Sequence, residues 1–339
     1  MELIITSEVT AAATVSGDHF YLAGRSGRPL RLAETEGSEE LLLTLQPCEG
    51  AVFLPLGCVL RREGNALRLD SPSPGVRLID WGGGLTELIA RFARMPQREP
   101  EPALLDRIEF ETADGKAEIA LYRDCGLRLS VAADGRETSM AVCGGTNGKL
   151  QALDVGGERL LILLAEGCFS EEDGQKSRIV ALDGELRIAA GMQGDLCEVR
   201  DGYLTAITAL GTVYGHERRQ RMELFSRAEK PQEARTDIGF FTHPRREPET
   251  AAETALAFLQ CVKLGLADEA FGLLSAQLAE ALDEETLFAF FGDFDEARLC
   301  PRQPDGGVTV GAVRGGTAES FDFTVENGRI ADITAREAD

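Results

Sequence analysis

Residues 243–266 read HPRREPETAAETALAFLQCVKLGL, and across them the hydrophobic period of the chain changes from about 2 to about 3.6. His243 to Pro248 is a proline-and-charge segment that neither a central strand nor a helix interior accepts. Thr250 then stands as an N-cap, with Glu253 at the spacing of a capping box. Ala255, Leu256, Leu259, Val262 and Leu266 mark one helical face, and Gly265 marks the helix end. Shorter helices are predicted over 267–274, 278–282 and 284–291. Strands follow over 308–314, 318–326 and 330–335, with Asn327-Gly328 as the hairpin turn between the last two.

Upstream, from Met1 to about Phe225, the pattern is that of strands. Short apolar-alternating runs recur about every 8–12 residues, separated by glycine turns. Asp114-Gly115, Asp134-Gly135, Asp183-Gly184 and Asp201-Gly202 suit type I′ hairpins, because both positions accept positive φ. An apolar-arginine-apolar triplet recurs at Leu30-Arg31-Leu32, Leu67-Arg68-Leu69, Val76-Arg77-Leu78, Leu127-Arg128-Leu129 and Leu186-Arg187-Ile188. On a strand it gives one buried and one wet face. Leu85 to Phe92 fits helical or strand spacing; the turn Gly82-Gly83-Gly84 and the run Val76 to Asp80 favour a hairpin.

Two polar segments divide the chain. Arg94 to Pro102 carries Pro96, Pro100 and Pro102 among charged residues. Ala228 to Arg235 has no apolar period, and the apolar Ile238-Gly239-Phe240-Phe241 after it is expected to dock on a neighbour. The expected organisation is a β-sandwich-like domain over 1–97 and an antiparallel, sandwich- or barrel-like β domain over 104–229. A linker over 230–247 and a C-terminal α+β domain over 248–339 complete it. The alternative is one propeller-like β region over 1–229; Trp-Asp signatures are absent and Trp81 is the only tryptophan.

The chain has 339 residues, 43% of them hydrophobic, which is a globular balance with enough length for two or three cores. Its formal net charge of −22 repels nucleic-acid phosphates and anionic membrane surfaces, so neither is an expected partner. The first residues lack a basic region before an apolar stretch, and no run approaches about 18 apolar residues, so a cytoplasmic protein is expected. The eight cysteines are scattered, without a Cys-x-x-Cys pair, and read as small buried hydrophobes.

Few local motifs point to chemistry. Gly144-Gly145-Thr146-Asn147-Gly148-Lys149-Leu150 has neither the spacing nor the hydroxyl of a phosphate loop and reads as a turn. The acidic runs Glu34 to Glu40 and Glu171 to Asp173 read as solvated loop charge rather than calcium ligands. Asp18-His19 and His243 have no neighbours at triad or metal spacing. The unusual cluster is Tyr214 to Arg221. As a strand, it places Glu217, Arg219, Arg221 and Glu223 on one face, where charges pair across strands. His216 and Arg218 fall on the other face beside apolar residues, and they are the candidate anion-binding residues.

Leu256-Ala257-Phe258-Leu259, then Leu264 to Ser275, then a strand meander resemble the NTF2-like/cystatin-like α+β superfamily, over about Pro248 to Asp339. The resemblance implies a helix packed on a curved antiparallel sheet. It also implies either a cone-shaped pocket or a noncatalytic dimerisation module, and it identifies no catalytic residue. Phe258, Phe271, Phe288, Phe290, Phe291, Phe294, Phe321 and Phe323 would fill the core between helix and sheet or line the pocket. Asp322 and Asp332 lie on strands that would border such a pocket, and alternation turns Asp322 away from Phe321 and Phe323. The resulting expectation is a noncatalytic binding or scaffolding protein, with a protein partner or self-association and no cofactor. The alternative is small-molecule binding or an enzyme site in the C-terminal pocket.

Overall fold

The computed structural model describes residues 1–17, 21–32, 38–48, 53–71, 73–93, 102–113, 115–133, 136–155, 157–170, 174–224 and 234–336. The chain is mainly β, with several sheets, and among the described residues its helices lie in the C-terminal part. It forms two compact units. One is split in sequence, Met1–Met95 with Glu247–Asp339; the other, Pro96–Arg246, is inserted between those halves. No helix of the described residues is long and apolar enough to cross a membrane.

The first half of the split unit contributes β1 (Glu2–Ser7), β2 (Ala11–Ser16), β3 (Tyr21–Arg25), β4 (Pro29–Arg31), β5 (Ser38–Pro47), β6 (Leu56–Glu63), β7 (Ala66–Leu69), β8 (Val76–Asp80) and β9 (Leu85–Ala90). One sheet runs β3-β2-β5-β6-β7, and β4, β1, β9 and β8 are neighbours in another. Leu3, Ile5, Leu88 and Ala90 share a core with Leu41, Leu43, Cys58 and Leu60, so the two sheets pack face to face as a sandwich. Burial alternates along β5, as a sheet with one wet face requires. The expected hairpin over Val76–Ala90 is present as β8 and β9. Gly82, Gly83 and Gly84 all have positive φ in its turn, a run that residues with a Cβ rarely follow.

The inserted unit repeats one motif. β10 (Ala103–Thr112), β11 (Gly115–Arg123), β12 (Leu127–Ala133) and β13 (Arg136–Cys143) form a first four-stranded antiparallel meander. β14 (Asn147–Val155), β15 (Glu158–Ser170), β16 (Gly174–Leu182) and β17 (Ile188–Gly194) form a second. β18 (Leu196–Arg200), β19 (Tyr203–Ala209), β20 (Glu217–Glu223) and β21 (Arg235–Gly239) form a third. Leu121 and Leu129 of the first sheet share a core with Leu161, Leu163 and Val180 of the second. Leu160, Ile162, Ile179 and Ala181 of the second sheet pack with Leu204 and Ala206 of the third. The middle sheet is therefore covered on both faces, which explains the unbroken apolar runs Leu160 to Ala165 and Ile179 to Leu182. Asp201 and Gly202 both take positive φ between β18 and β19, as a type I′ turn needs. Gly144 to Thr146 connects the first sheet to the second, whereas Asn147 to Leu150, read as part of the same turn, lie in β14 and pair with β15. β21 lies inside the stretch read as linker, 230–247.

The chain then returns to the split unit with α1 (Ala251–Leu264), α2 (Ala267–Phe271), α3 (Ala276–Ala281), α4 (Glu284–Phe291), β22 (Glu296–Leu299), β23 (Val308–Arg314), β24 (Thr317–Glu326) and β25 (Arg329–Ala335). Thr250 caps α1, accepting from the Glu253 amide at 3.1 Å, and Gly265 closes it at φ 70°. Phe258, Phe291, Phe321 and Phe323 are each at most 2% exposed and meet edge to face, filling the layer between helices and sheet. The sequence reading set 1–97 and 248–339 apart; in the structure β22-β23-β24-β8-β9-β1-β4 is the path of one eight-stranded sheet, with β25 on β24. The join is a single parallel pair, Thr317 with Asp80.

Candidate functional site

Strand neighbours are spaced about 4.8 Å, so β22 and β9, four steps apart, would lie about 19 Å apart in a flat sheet. Arg298 on β22 nonetheless meets Glu87 on β9 at 2.8 Å, so the sheet curls until these strands face each other. Trp81 bridges the gap, donating from Nε1 to Glu87 at 3.2 Å and resting against Gly311 on β23. Arg298 also bonds Glu296 at 3.0 Å, and Glu296 bonds Arg77. Burial pushes the Glu296 carboxyl up, but the Arg77 and Arg298 hydrogen bonds outweigh it and hold the group below its ordinary value. Glu87 is 2% exposed and held by both Arg298 and Trp81, so this network closes the curl of the sheet.

In the inserted unit the sequence-flagged residues separate. His216 is buried between the Phe240 ring, stacked at 4.9 Å, and the Tyr214 ring, edge-on at 5.6 Å. Its Nδ1 lies 2.9 Å from the Thr212 hydroxyl, which also accepts from the His216 amide. Arg218 is exposed on β20. Asp18-His19 and the acidic residues Glu34, Glu36 and Glu171 to Asp173 lie outside the described residues. Asp322, half-buried, accepts from Thr309 at 2.5 Å and from Arg336 at 3.0 Å.

The most perturbed carboxylate was not flagged. Glu217, 4% exposed, accepts from the amides of Phe241 at 2.6 Å and Thr242 at 2.7 Å, from the Thr242 hydroxyl, and from His243 at 3.3 Å. Burial pushes this carboxyl up; the hydrogen bonds from Thr242, Phe241 and His243 outweigh it and hold the pKa at about 2. Its signal in the sequence is only a place among the charges of the Tyr214 to Arg221 cluster, where pairing across strands and not burial was expected. The cysteine thiols move the opposite way: burial pushes Cys58, Cys143 and Cys197 up to about 11, and raises Cys168 and Cys300.

An open recess occurs on the first sheet of the inserted unit. Cross-strand partners share a face, so Tyr122 with Arg128 and Ser130 with Ser139 lie opposite the face on which Leu121 and Leu129 meet the second sheet. A cleft of about 360 Å3 lies there, lined by Leu104, Tyr122, Arg128, Ser130, Glu137 and Ser139, among others. Ser130 donates to Glu137 at 2.5 Å and Arg128 to Ser139 at 3.1 Å. Leu104, 48% exposed, gives the recess an apolar rim. Hydroxyls, a guanidinium and a carboxylate thus line the recess beside a ring and a leucine.

No protein-family model and no curated protein matches the chain. Among solved structures it is similar to a crystal structure of an exo-1,5-alpha-L-arabinanase from a bovine ruminal metagenomic library. Identity is 9% and the TM-score 0.19, over 74% of this chain and 96% of that one, a likeness too weak to assign a fold or an activity.

Proposed function

We propose that this chain is a noncatalytic binding protein that takes an extended segment of a partner on the first sheet of its inserted unit. The observation that carries this reading is the edge strand β13, which among the described residues is hydrogen-bonded within its sheet on one side only and borders the cleft. From Thr138 to Cys143 it is uncharged, in a chain of net charge −22. Edge strands are commonly blunted by charge or proline. A bare edge favours strand addition, in which the main chain supplies affinity and alternate side chains supply specificity. Side chains of an added strand would fall beside Ser139 and Glu137, over a recess with room for one or two of them.

The titratable groups support a noncatalytic role. General acid–base catalysis needs a pKa near the working pH, whereas Glu217 is held at about 2 and the thiols of buried Cys58 and half-buried Cys143 and Cys197 at about 11. Residues 248–339 are read as an NTF2-like/cystatin-like module. Support comes from α1 lying against β22, β23, β24 and β25. The four buried phenylalanine rings between those layers favour a filled core over a pocket. The test is light scattering on the purified protein together with affinity capture from its own organism. A defined oligomer or a stoichiometric partner is expected; a strict monomer that captures nothing would sink the proposal.

A further inference from the structure

The Tyr214 to Arg221 cluster also builds a site on the outer face of the third sheet. Met222 and Leu224 pack toward the second sheet, so Arg219 and Arg221 lie on the opposite face. Both guanidiniums bond the same atom, Oδ2 of Asp237 on β21, each at 3.0 Å. Arg219 lies over the Phe241 ring, 4.0 Å from its centre, which fixes its plane. The register then sets Arg221 directly opposite Arg235. Like charges directly opposite on a sheet repel, and among the described residues no carboxylate pairs with Arg235. Arg219 and Arg221 therefore share one aspartate, and Arg235 stands opposite Arg221 on the same face, which Glu223 also joins two residues beyond Arg221. The Nε atoms of Arg219 and Arg221 are buried without a hydrogen-bond partner and their Nη2 groups bond Asp237, so the Nη1 groups are what remain for a ligand. The bonds from Arg219, with both arginine charges, hold the Asp237 carboxyl below its ordinary value, so it stays ionised and competes with any incoming anion.

The geometry points to an oxyanion site on this face, formed by Arg219, Arg221 and Arg235, that takes a small phosphate-bearing molecule. A phosphate presents several acceptor oxygens, which matches guanidiniums converging from two strands. One such group would offset the Arg221–Arg235 repulsion and complete the bonding that Asp237 supplies only in part. Arg218 points to the other face and stands outside the site.

The test is calorimetric titration of the full chain with inorganic phosphate and with pyrophosphate at low ionic strength. Saturable binding is expected, stronger for pyrophosphate. Arg235→Gln touches no packed group and should weaken binding about tenfold, the loss expected from one charge-assisted contact. Arg221→Gln should weaken it at least as much. Asp237→Asn removes the competing carboxylate and should tighten binding several-fold, which a purely structural arginine pair would not do. Arg218→Gln should leave it unchanged. Absence of saturable binding would overturn the assignment. So would equal affinity in wild type and Arg235→Gln, or equal weakening by Arg218→Gln and Arg235→Gln.

Discussion

Replacing Glu217 by glutamine should remove this carboxylate's share of the pH dependence of stability. The wild-type carboxylate accepts from two backbone amides and a hydroxyl at a buried position. Its pKa is about 2 against an ordinary 4.5. A shift of that size, at about 1.36 kcal/mol per pH unit, corresponds to about 3 kcal/mol in favour of the folded state. Because the folded value is the lower one, the contribution is complete above the unfolded value and is lost as pH falls from about 4.5 toward 2. Glutamine keeps a carbonyl oxygen for the amides of Phe241 and Thr242 but loses the charge and turns its NH2 toward the Thr242 hydroxyl and His243, so Glu217→Gln should cost up to about 3 kcal/mol at pH 7. The assay is urea unfolding at several pH values, followed by hydrogen exchange of peptides from 203–224 and 234–246. The gap between the two proteins should close as pH approaches 2. A gap that stays constant from pH 7 to 2.5 would refute the role given to this carboxylate.

Three further outcomes are expected. Gly311→Ala would set a Cβ 2.5 Å from the Trp81 ring, so it should destabilise the split unit by about 1–3 kcal/mol and shift Trp81 emission; unchanged emission and stability would contradict the packing. Glu87→Ala leaves Arg298 with Glu296 and the Trp81 indole without its acceptor, and should cost about 1–3 kcal/mol in urea unfolding, whereas Glu87→Ala with Arg298→Met should cost less than the single change. A thiol reagent at neutral pH should label Cys48 and Cys125, the exposed cysteines, before the buried Cys58, Cys168, Cys261 and Cys300; fast labelling of Cys168 would contradict its burial.

Local order was the part of the fold most legible in the sequence. The Thr250 cap, the Gly265 stop and the Asn327-Gly328 turn stand where their side chains and φ preferences put them, because each is decided within a few residues. Long-range pairing left no such mark. The single Thr317–Asp80 pair that brings β24 beside β8 spans most of the chain, and neither residue announces it. β22 was missed because Glu296-Ala297-Arg298-Leu299 is short and half charged, and its charges face Glu87 and Arg77 on distant strands. The charged face of Tyr214 to Arg221 was legible as cross-strand pairing, but its partner Asp237 lay in a stretch read as linker. His216 looked like a ligand group because Phe240, which stacks on it, arrives only through the pairing of β20 with β21.

The binding role is tested most directly at β13. Ser139 is exposed and lines the cleft, so Ser139→Trp should obstruct the recess with little effect on folding. Wild type and variant should be captured from the native organism under mild cross-linking, with the cross-linked sites mapped by mass spectrometry. If the first sheet is the recognition surface, wild type yields cross-links concentrated at Arg136–Cys143, and Ser139→Trp loses them while its unfolding midpoint is unchanged. Cross-links that avoid this strand, or that persist in the variant at wild-type yield, would contradict it.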